Sequence, residues 1–183
     1  MSIKHTGKDS YGYNTEYWTD ENNELHRTDG PAYISYYDDG TVRWEDWYQH
    51  GQRHRDGKPA VTTYFEDGTV KGEAWYQDGE LHRDGNPARI TYYRNGSVQS
   101  KEWYQEGNFH RTDGPAVTVY DADRTIKQEA WWQEGKRHRT DGPAETWYYE
   151  NGSIQCEAWY QDGKPIDPPS NPDISTPDRA VEL

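Results

Sequence analysis

The sequence has little of what usually builds a globular core or a disulfide framework. Its 183 residues include a single cysteine, Cys156, and only 31% of them are apolar. One cysteine excludes an intramolecular disulfide framework, and the expected compartment is a reducing cytoplasm. We expect Cys156 to be a small packed residue, because Gly72 and Ser100 are its counterparts. An apolar run of membrane length is lacking, and so is an apolar signal segment in residues 1–10, so no membrane association is expected.

Positive charge is also scarce. Lysine and arginine number 20 against 33 aspartate and glutamate residues, which gives a formal net charge of −13. This excess opposes contact with nucleic-acid phosphates and with anionic lipid, so neither is expected as a partner. It favours a protein partner with a basic surface. Because the acidic residues are spread over the whole chain, a solvated surface without a partner is the alternative.

Aromatic residues, in contrast, are plentiful, with 9 tryptophans and 16 tyrosines. The mean hydropathy of −1.37 would suggest disorder, but disordered segments are poor in aromatic residues. The sequence therefore predicts that flat amphipathic rings supply the buried surface. A sheet of one layer fits this composition, because it has little interior to fill.

A unit of 28 residues recurs five times. Histidine keeps this period at His26, His54, His82, His110 and His138, and tryptophan keeps it at Trp47, Trp75, Trp103, Trp131 and Trp159. A fixed period of this length is typical of stacked repeat arrays. The predicted organisation is an N-terminal tail with a capping strand at residues 1–23, the array at 24–163, and a proline-rich, flexible C-terminal tail at 164–183.

Each unit has the pattern of a β-hairpin. In the third unit, two runs rich in β-forming residues, 88–93 and 98–105, flank Asn95-Gly96. This dipeptide accepts positive φ at both turn positions and is a strong hairpin signal. A second glycine turn follows each tryptophan, at His50-Gly51, Asp78-Gly79, Glu106-Gly107, Glu134-Gly135 and Asp162-Gly163. The predicted fold is an all-β, elongated antiparallel sheet of five consecutive 28-residue hairpin repeats.

Side chains alternate across a strand, so two faces can be sorted in each hairpin. Ser100 and Glu102 are expected to share one face with Ile90, while Trp103 lies on the other. Because neighbouring strands are about 4.8 Å apart, successive tryptophans would stand about 10 Å apart in a row.

The pattern Trp-x-x-x-Gly-x-x-His, followed by a glycine turn and by Tyr-Tyr-x-Asn-Gly, resembles the MORN repeat family. Residues 75–82, with Gly79 and then Gly85, carry the resemblance, which covers all five units. The units depart from the family in their longer period and in the inserted arginine and Pro-Ala. The resemblance implies an elongated single-layer sheet of hairpins. The longer variants are similar to bacterial toxin-neutralising proteins and to phage and giant-virus proteins.

The five periodic histidines are expected to be structural. At about 10 Å apart, they cannot share a zinc ion whose bonds to nitrogen are about 2.0 Å long. Each histidine is expected to pack beside the next repeat's tryptophan, and each following arginine to pair with an aspartate across the turn. The sequence lacks a nucleophile elbow, a phosphate-binding loop and a metallohydrolase motif. We therefore assign no catalytic residue, cofactor or metal site, and expect a protein that is not an enzyme.

The fourth unit departs most from the others. It has Asp121 in place of a ring, Arg124 in place of the turn glycine, and Trp131-Trp132 in place of Trp-Tyr. A strained exception can mark a binding site. Asp121, Asp123, Arg124, Trp131 and Trp132 are therefore predicted to contact a partner, with ordinary repeat drift as the alternative. The tryptophan row (Trp47, Trp75, Trp103 and Trp159) is a second candidate, and its alternative role is the core of a thin sheet.

These features favour a non-enzymatic binding protein that docks a macromolecular partner on its repeat sheet. The expected class is an inhibitor or an immunity or anti-defence protein of bacterial or phage origin. A sponge for small, nucleotide-like molecules with repeated sites is one alternative. A structural component of a larger assembly is the other.

Overall fold

The structure is a computed structural model that describes residues 2–169. In chain order its strands are β1 (Ile3–Lys8), β2 (Asn14–Thr19), β3 (Tyr33–Tyr36), β4 (Val42–Asp46), β5 (Tyr48–Gln49), β6 (Gln52–Arg53), β7 (Val61–Tyr64), β8 (Val70–Ala74), β9 (Tyr76–Gln77), β10 (Glu80–Leu81), β11 (Arg89–Tyr92), β12 (Val98–Glu102), β13 (Tyr104–Gln105), β14 (Asn108–Phe109), β15 (Val117–Tyr120), β16 (Ile126–Ala130), β17 (Trp132–Gln133), β18 (Lys136–Arg137), β19 (Glu145–Tyr148), β20 (Ile154–Ala158), β21 (Tyr160–Gln161) and β22 (Lys164–Pro165). The described part of the chain contains no helix that could span a membrane.

Twelve of these strands form one antiparallel sheet, in the order β1-β2-β3-β4-β7-β8-β11-β12-β15-β16-β19-β20. Each strand pairs with its neighbours along the chain, so every repeat adds one hairpin to the sheet. At about 4.8 Å between strands, the sheet extends for roughly 50 Å. The predicted all-β, elongated sheet of consecutive hairpins is confirmed. Before the first repeat, β1 and β2 form a further hairpin, and β2 pairs with β3.

The turn at the tip of each long hairpin differs from the predicted one. Of Asn95 and Gly96, only Gly96 has a positive φ, at 80°. The Gly96 N–H donates to the Tyr93 carbonyl at 2.9 Å, and the Tyr93 N–H donates to the Ser97 carbonyl at 2.8 Å. The strand register then shifts beside Tyr92. The tip is therefore a longer turn that ends in glycine and is followed by a bulge.

This bulge overturns the predicted assignment of the two faces. Past the bulge, Ile90 pairs with Lys101, and Thr91 pairs with Ser100. Paired residues point to the same side of a sheet, and an offset of one residue moves a side chain to the opposite face. The prediction that Ile90 shares a face with Ser100 and Glu102 was therefore wrong.

Each repeat also contains a second, shorter hairpin that the sequence analysis treated as the end of a strand followed by a turn. In the third repeat, β13 pairs with β14. Between them, Glu106 and Gly107 have φ values of 49° and 73°. Two consecutive residues with positive φ are typical of the two-residue turn that was expected at Asn95-Gly96. A two-residue turn with positive φ at both positions is thus present in every repeat, but it lies in the short hairpin and not at the tip of the long one.

The last short hairpin reaches beyond the predicted end of the array at residue 163. Strand β22 (Lys164–Pro165) pairs with β21. The Ile166 N–H then donates to the Trp159 carbonyl at 3.0 Å, as the His138 N–H donates to the Trp131 carbonyl. The first residues of the predicted tail therefore belong to the fifth repeat. Residues 170–183 of that tail lie outside the described residues.

The most deeply buried residues are small. The alanines of the five Pro-Ala pairs have no exposed surface, namely Ala32, Ala60, Ala88, Ala116 and Ala144. The largest side chain with almost no exposure is Ser35. Most tryptophans are only half-buried. Aromatic rings therefore cover the sheet, while alanine, serine and threonine fill the space beneath them.

The last strand of the sheet is more exposed than its counterparts. In β20, Ile154 is 54% exposed and Cys156 is exposed, whereas Ser100, the counterpart of Cys156, is 8% exposed. The expectation of a packed Cys156 was wrong. Ser100 is covered because a further repeat follows it, and within the described residues β20 is the last strand of the sheet.

Backbone strain at the fourth tip can be tested directly. Arg124 occupies the position of the tip glycine and has a φ of 76°. We expect Arg124→Gly to raise the free energy of unfolding by about 0.5 kcal/mol, because relief of the left-handed strain exceeds the entropy that glycine adds to the unfolded chain. Urea denaturation measures this change. The reciprocal Gly96→Arg should lower the same quantity, and no effect in either variant would show that the tip is unstrained.

Candidate interaction surfaces

Each arginine of the five His-Arg pairs lies over the ring of the tryptophan that precedes it in the chain. The Cζ-to-ring distances are 4.0 Å for Arg27 and Trp18, 3.7 Å for Arg55 and Trp47, 3.8 Å for Arg83 and Trp75, 4.1 Å for Arg111 and Trp103, and 4.1 Å for Arg139 and Trp131. A Cβ atom on Gly114 would lie 2.6 Å from the Arg111 Cζ, so the stacked arginine requires glycine in that loop. Three rings of the predicted tryptophan row, Trp47, Trp75 and Trp103, are thus covered by the protein itself. This favours their structural role.

The same arginines fasten the loop to the sheet. In the third repeat, Arg83 donates to the Pro87 carbonyl at 3.3 Å. The backbone N–H of Trp75 donates to the Ala88 carbonyl at 2.8 Å. The buried alanine lies directly after that proline, so the stacked ring, the guanidinium and the Pro-Ala segment form one packed unit. The equivalent bonds recur in every repeat that has the His-Arg pair.

The predicted arginine–aspartate pairs form in only three of the five loops. Arg27, Arg111 and Arg139 each bind the aspartate two residues later at 2.8 Å. In the other two loops the Asp-Gly pair stands one position earlier. There Asp56 and Asp84 lie 3.2 Å from the Nε2 atoms of His54 and His82. In all five loops the aspartate thus binds the side chain two residues before it. Where the aspartate stands one position earlier in the loop, that side chain is histidine instead of arginine.

The periodic histidines connect successive repeats. The His82 Nδ1 accepts a hydrogen bond from the backbone N–H of Glu106, in the short turn of the next repeat, at 3.3 Å. The other four histidines accept the equivalent bond at 3.1 to 3.4 Å. The His82 backbone N–H donates to the Trp75 carbonyl. Each of these histidines therefore bonds to the short turn of the next repeat, while the expected packing beside the next tryptophan stays a prediction.

A second line of stacked side chains, which the sequence analysis did not identify, lies under the short hairpins. Arg53 is 5.5 Å from the ring of Tyr48 and 5.3 Å from the ring of Tyr76. It also binds Asp46 at 2.8 Å, and Asp46 is 3% exposed. Burial raises the pKa of the Asp46 carboxyl, and Arg53 acts in the opposite direction. Burial likewise raises the pKa of Tyr48 to about 12.

Further along this line, apolar residues replace the arginine. Phe109 lies 4.2 Å from the ring of Tyr104 and 5.4 Å from that of Trp132. Arg137 then follows Trp132 at 5.2 Å and binds Glu145 at 3.0 Å. Arginine therefore occurs in this line where a buried carboxylate lies beneath it. In the sequence, this line of side chains is marked by the residue two positions after each short-turn glycine, which is arginine, leucine or phenylalanine in the first four repeats.

The residues predicted for a partner contact in the fourth unit do not come together. Asp121 binds Lys127 at 3.1 Å. Asp123 accepts bonds from Thr125, as the aspartate or asparagine does at every other tip. Arg124 also lies at this tip. Trp131 and Trp132 lie at the other end of β16, roughly 15 Å away for a strand of five residues. Trp131 is covered by Arg139, and the Trp132 indole nitrogen is buried.

The short turns carry a regular row of exposed carboxylates, which we call the acidic turn row. It consists of Asp78, Glu106, Glu134 and Asp162. Each holds a φ of 49° to 51° on a two-residue turn. Since one turn belongs to each pair of strands, the carboxylates repeat about every 10 Å. A groove of about 240 Å³ opens between two of them, lined by Gln77, Asp78, Glu80, His82 and Glu106.

The first turn differs because it carries His50 instead of an acid. The rings of His26 and His50 lie 4.4 Å apart. The His50 Nδ1 is also 3.5 Å from a carboxylate oxygen of Asp20. His50 lies outside the series of histidines 28 residues apart, from which no metal site was predicted. The missed signal was a histidine at a turn position where the other repeats have aspartate or glutamate.

A cavity of about 500 Å³ opens over Gly72 and includes Trp44, Arg53, Tyr76 and Arg89 in its lining. The counterparts of Gly72 in other repeats are tryptophan, serine, glutamine and cysteine. The space over this glycine therefore does not recur with the period of the array. Two of its arginines also have acidic partners, since Arg53 binds Asp46 and Arg89 lies 3.6 Å from Glu102.

We expect Arg83→Lys to lower the free energy of unfolding by about 1 kcal/mol. Lysine keeps the charge but loses the planar stacking on Trp75 and the bond to Pro87. Chemical denaturation followed by tryptophan fluorescence measures the change. Arg94→Lys is the control, because Arg94 is 61% exposed at a hairpin tip. Equal effects of the two substitutions would contradict a structural role for the stacked arginine.

The histidine bond between repeats predicts a difference between two substitutions at one site. His82→Ala should lower the free energy of unfolding by about 1 kcal/mol, because the Glu106 N–H loses its acceptor. His82→Asn should cost less, since the asparagine Oδ1 can take the place of Nδ1. Thermal denaturation of both variants measures this. If asparagine were as harmful as alanine, ring packing rather than the hydrogen bond would explain the role of His82.

No family model matches the chain, and no curated protein matches it either. The MORN-like resemblance of the repeats therefore stays a prediction.

Proposed function

We propose that the protein is a non-enzymatic binding protein that docks a protein partner with a basic surface along its acidic turn row. The observation that carries this proposal is the regular placement of Asp78, Glu106, Glu134 and Asp162 on rigid two-residue turns. Each turn is bonded to the histidine of the preceding repeat, so the carboxylates are held at a fixed spacing. Complementary charge speeds association and selects partners.

The proposed role is that of an inhibitor, or of an immunity or anti-defence protein. This role rests on the resemblance of the repeats to the longer MORN-like variants of bacteria and viruses. The proposed setting is the cytoplasm of a bacterium or of a phage-infected cell. The contact is assigned to the turn row rather than to the fourth unit, because the tip at Asp121 and the pair Trp131-Trp132 lie at opposite ends of a strand.

A small-molecule binding protein is the second candidate, and the cavity over Gly72 favours it. Trp44 and Tyr76 offer rings for stacking, and Arg53 and Arg89 offer cationic groups, a combination that suits a nucleotide-like ligand. Because the cavity does not repeat, this candidate predicts about one ligand per chain rather than one per repeat.

A pull-down from a bacterial lysate with the protein as bait identifies its partners. A matched pair of triple variants then tests whether the acidic turn row binds them. Glu106→Gln, Glu134→Gln and Asp162→Asn remove three charges from the acidic turn row. Asp38→Asn, Glu66→Gln and Glu150→Gln remove the same three charges from exposed hairpin tips. We expect the first variant to bind the captured partner at least tenfold more weakly and with less salt dependence, and the second to bind it nearly normally.

Equal losses in the two triple variants would mean that net charge, and not the turn row, determines binding. The rival is tested with a nucleoside monophosphate as probe. Binding of about one molecule per chain that is abolished by Gly72→Ser, which copies Ser100 of the next repeat, would favour the cavity instead.

A further inference from the structure

We propose that Asp20, His26 and His50 bind a divalent transition-metal ion such as zinc where the N-terminal hairpin meets the first repeat. The three side chains each offer a ligand atom, and these atoms all lie within 4.8 Å of one another. Two imidazoles and one carboxylate, with water in the fourth position, are a ligand set that suits tetrahedral zinc. This site is separate from the acidic turn row.

The carboxylate is held in place before any ion arrives. The Asp20 Oδ1 accepts the backbone N–H of Asn22 at 2.9 Å and that of Glu24 at 3.1 Å. The Asp20 side chain is only 10% exposed. Its other oxygen, Oδ2, faces the His50 ring at 3.5 Å.

The two imidazoles are positioned by the fold. The His26 Nδ1 accepts the backbone N–H of His50 at 3.1 Å, which is the bond that every repeat makes between its histidine and the next turn, and this bond places the ring beside that turn. A neutral imidazole has one lone pair, so an ion bound to His26 takes the place of this N–H. The His50 side chain is 76% exposed, so it can rotate to close the ligand geometry. In a tetrahedral zinc site, neighbouring ligand atoms are about 3.3 Å apart, so small rotations suffice.

The comparison between repeats sets this cluster apart. At the other four turns the position of His50 is acidic. At two of these turns the histidine of the preceding repeat contacts that carboxylate, at 3.6 Å for His54 and Asp78 and at 2.8 Å for His138 and Asp162. Of the five short turns, only the first has a histidine at this position, and there Asp20 of the preceding hairpin supplies the carboxylate. The two ring centroids lie 4.4 Å apart, so one metal ion can bind both rings.

Such an ion would connect residues 20, 26 and 50, which belong to the N-terminal hairpin, its following loop and the first short turn. A ligand that binds only the folded state stabilises it in proportion to the logarithm of its concentration. The ion would therefore stabilise the beginning of the array.

The test uses zinc chloride with the full-length protein after treatment with a chelator. Calorimetric titration should show one zinc ion per chain, and the thermal midpoint should rise by roughly 5 °C at 100 times the dissociation constant. Cobalt(II) in place of zinc should give the visible absorption of a tetrahedral site.

Three substitutions to asparagine make the test specific. Asp20→Asn keeps the acceptor for the two backbone N–H groups, and His50→Asn suits the φ of 48° at that turn. Either variant should lose the zinc-dependent shift while its far-ultraviolet circular dichroism stays that of the folded protein. The control Asp78→Asn, at the same position of the next turn, should keep the shift. Undiminished binding in the first two variants, or no stoichiometric binding by the unaltered protein, would overturn the proposal.

Discussion

The stacking of a guanidinium on an indole is the interaction on which the rest of the structure depends. A single-layer sheet has no second layer to bury its surface, and the buried residues here are mainly alanine, serine and threonine. The loop that follows each short hairpin folds back and places an arginine about 4 Å from the tryptophan ring. That fold brings the Pro-Ala segment over the sheet and aligns the histidine with the next turn. The repeat is therefore a loop packed on a hairpin, because the hairpin alone would leave its surface unburied.

Much of this architecture could be predicted because the period is visible in the sequence. The spacing of His82, Trp75 and Pro87 predicts the unit, and the glycine pairs locate both turns. The glycine pairs do not show which of the two turns is the two-residue turn. Asn95-Gly96 has the stronger hairpin signal, yet Glu106-Gly107 adopts positive φ at both residues. The Asn95 side chain binds the N–H and the hydroxyl of Ser97 instead, which stabilises the longer turn and its bulge.

The candidate surfaces were harder to predict, because they depend on contacts between neighbouring repeats. The departures of the fourth unit were visible in the sequence, but their distance from one another depends on strand length and direction. Asp123 in particular looks exceptional beside Arg124, although it performs the usual turn role of the aspartate or asparagine at that position. His50 was hidden for the opposite reason. It is not one of the histidines that recur every 28 residues. Its neighbours Asp20 and His26 come close only because the short turn lies over the preceding loop.

The unequal ends of the array give the molecule a direction. Among the described residues the two edge strands of the large sheet, β1 and β20, each have a partner on one side only. The N-terminal hairpin β1-β2 covers the first repeat, however, whereas β20 belongs to the last repeat itself. Trp159 likewise ends the row that arginines cover elsewhere. Because each unit contacts only its neighbours, opening of the backbone does not have to involve the whole chain at once. Fraying should begin at the β20 end and advance one hairpin at a time, so the protein is better described by a gradient of local stabilities than by one melting event.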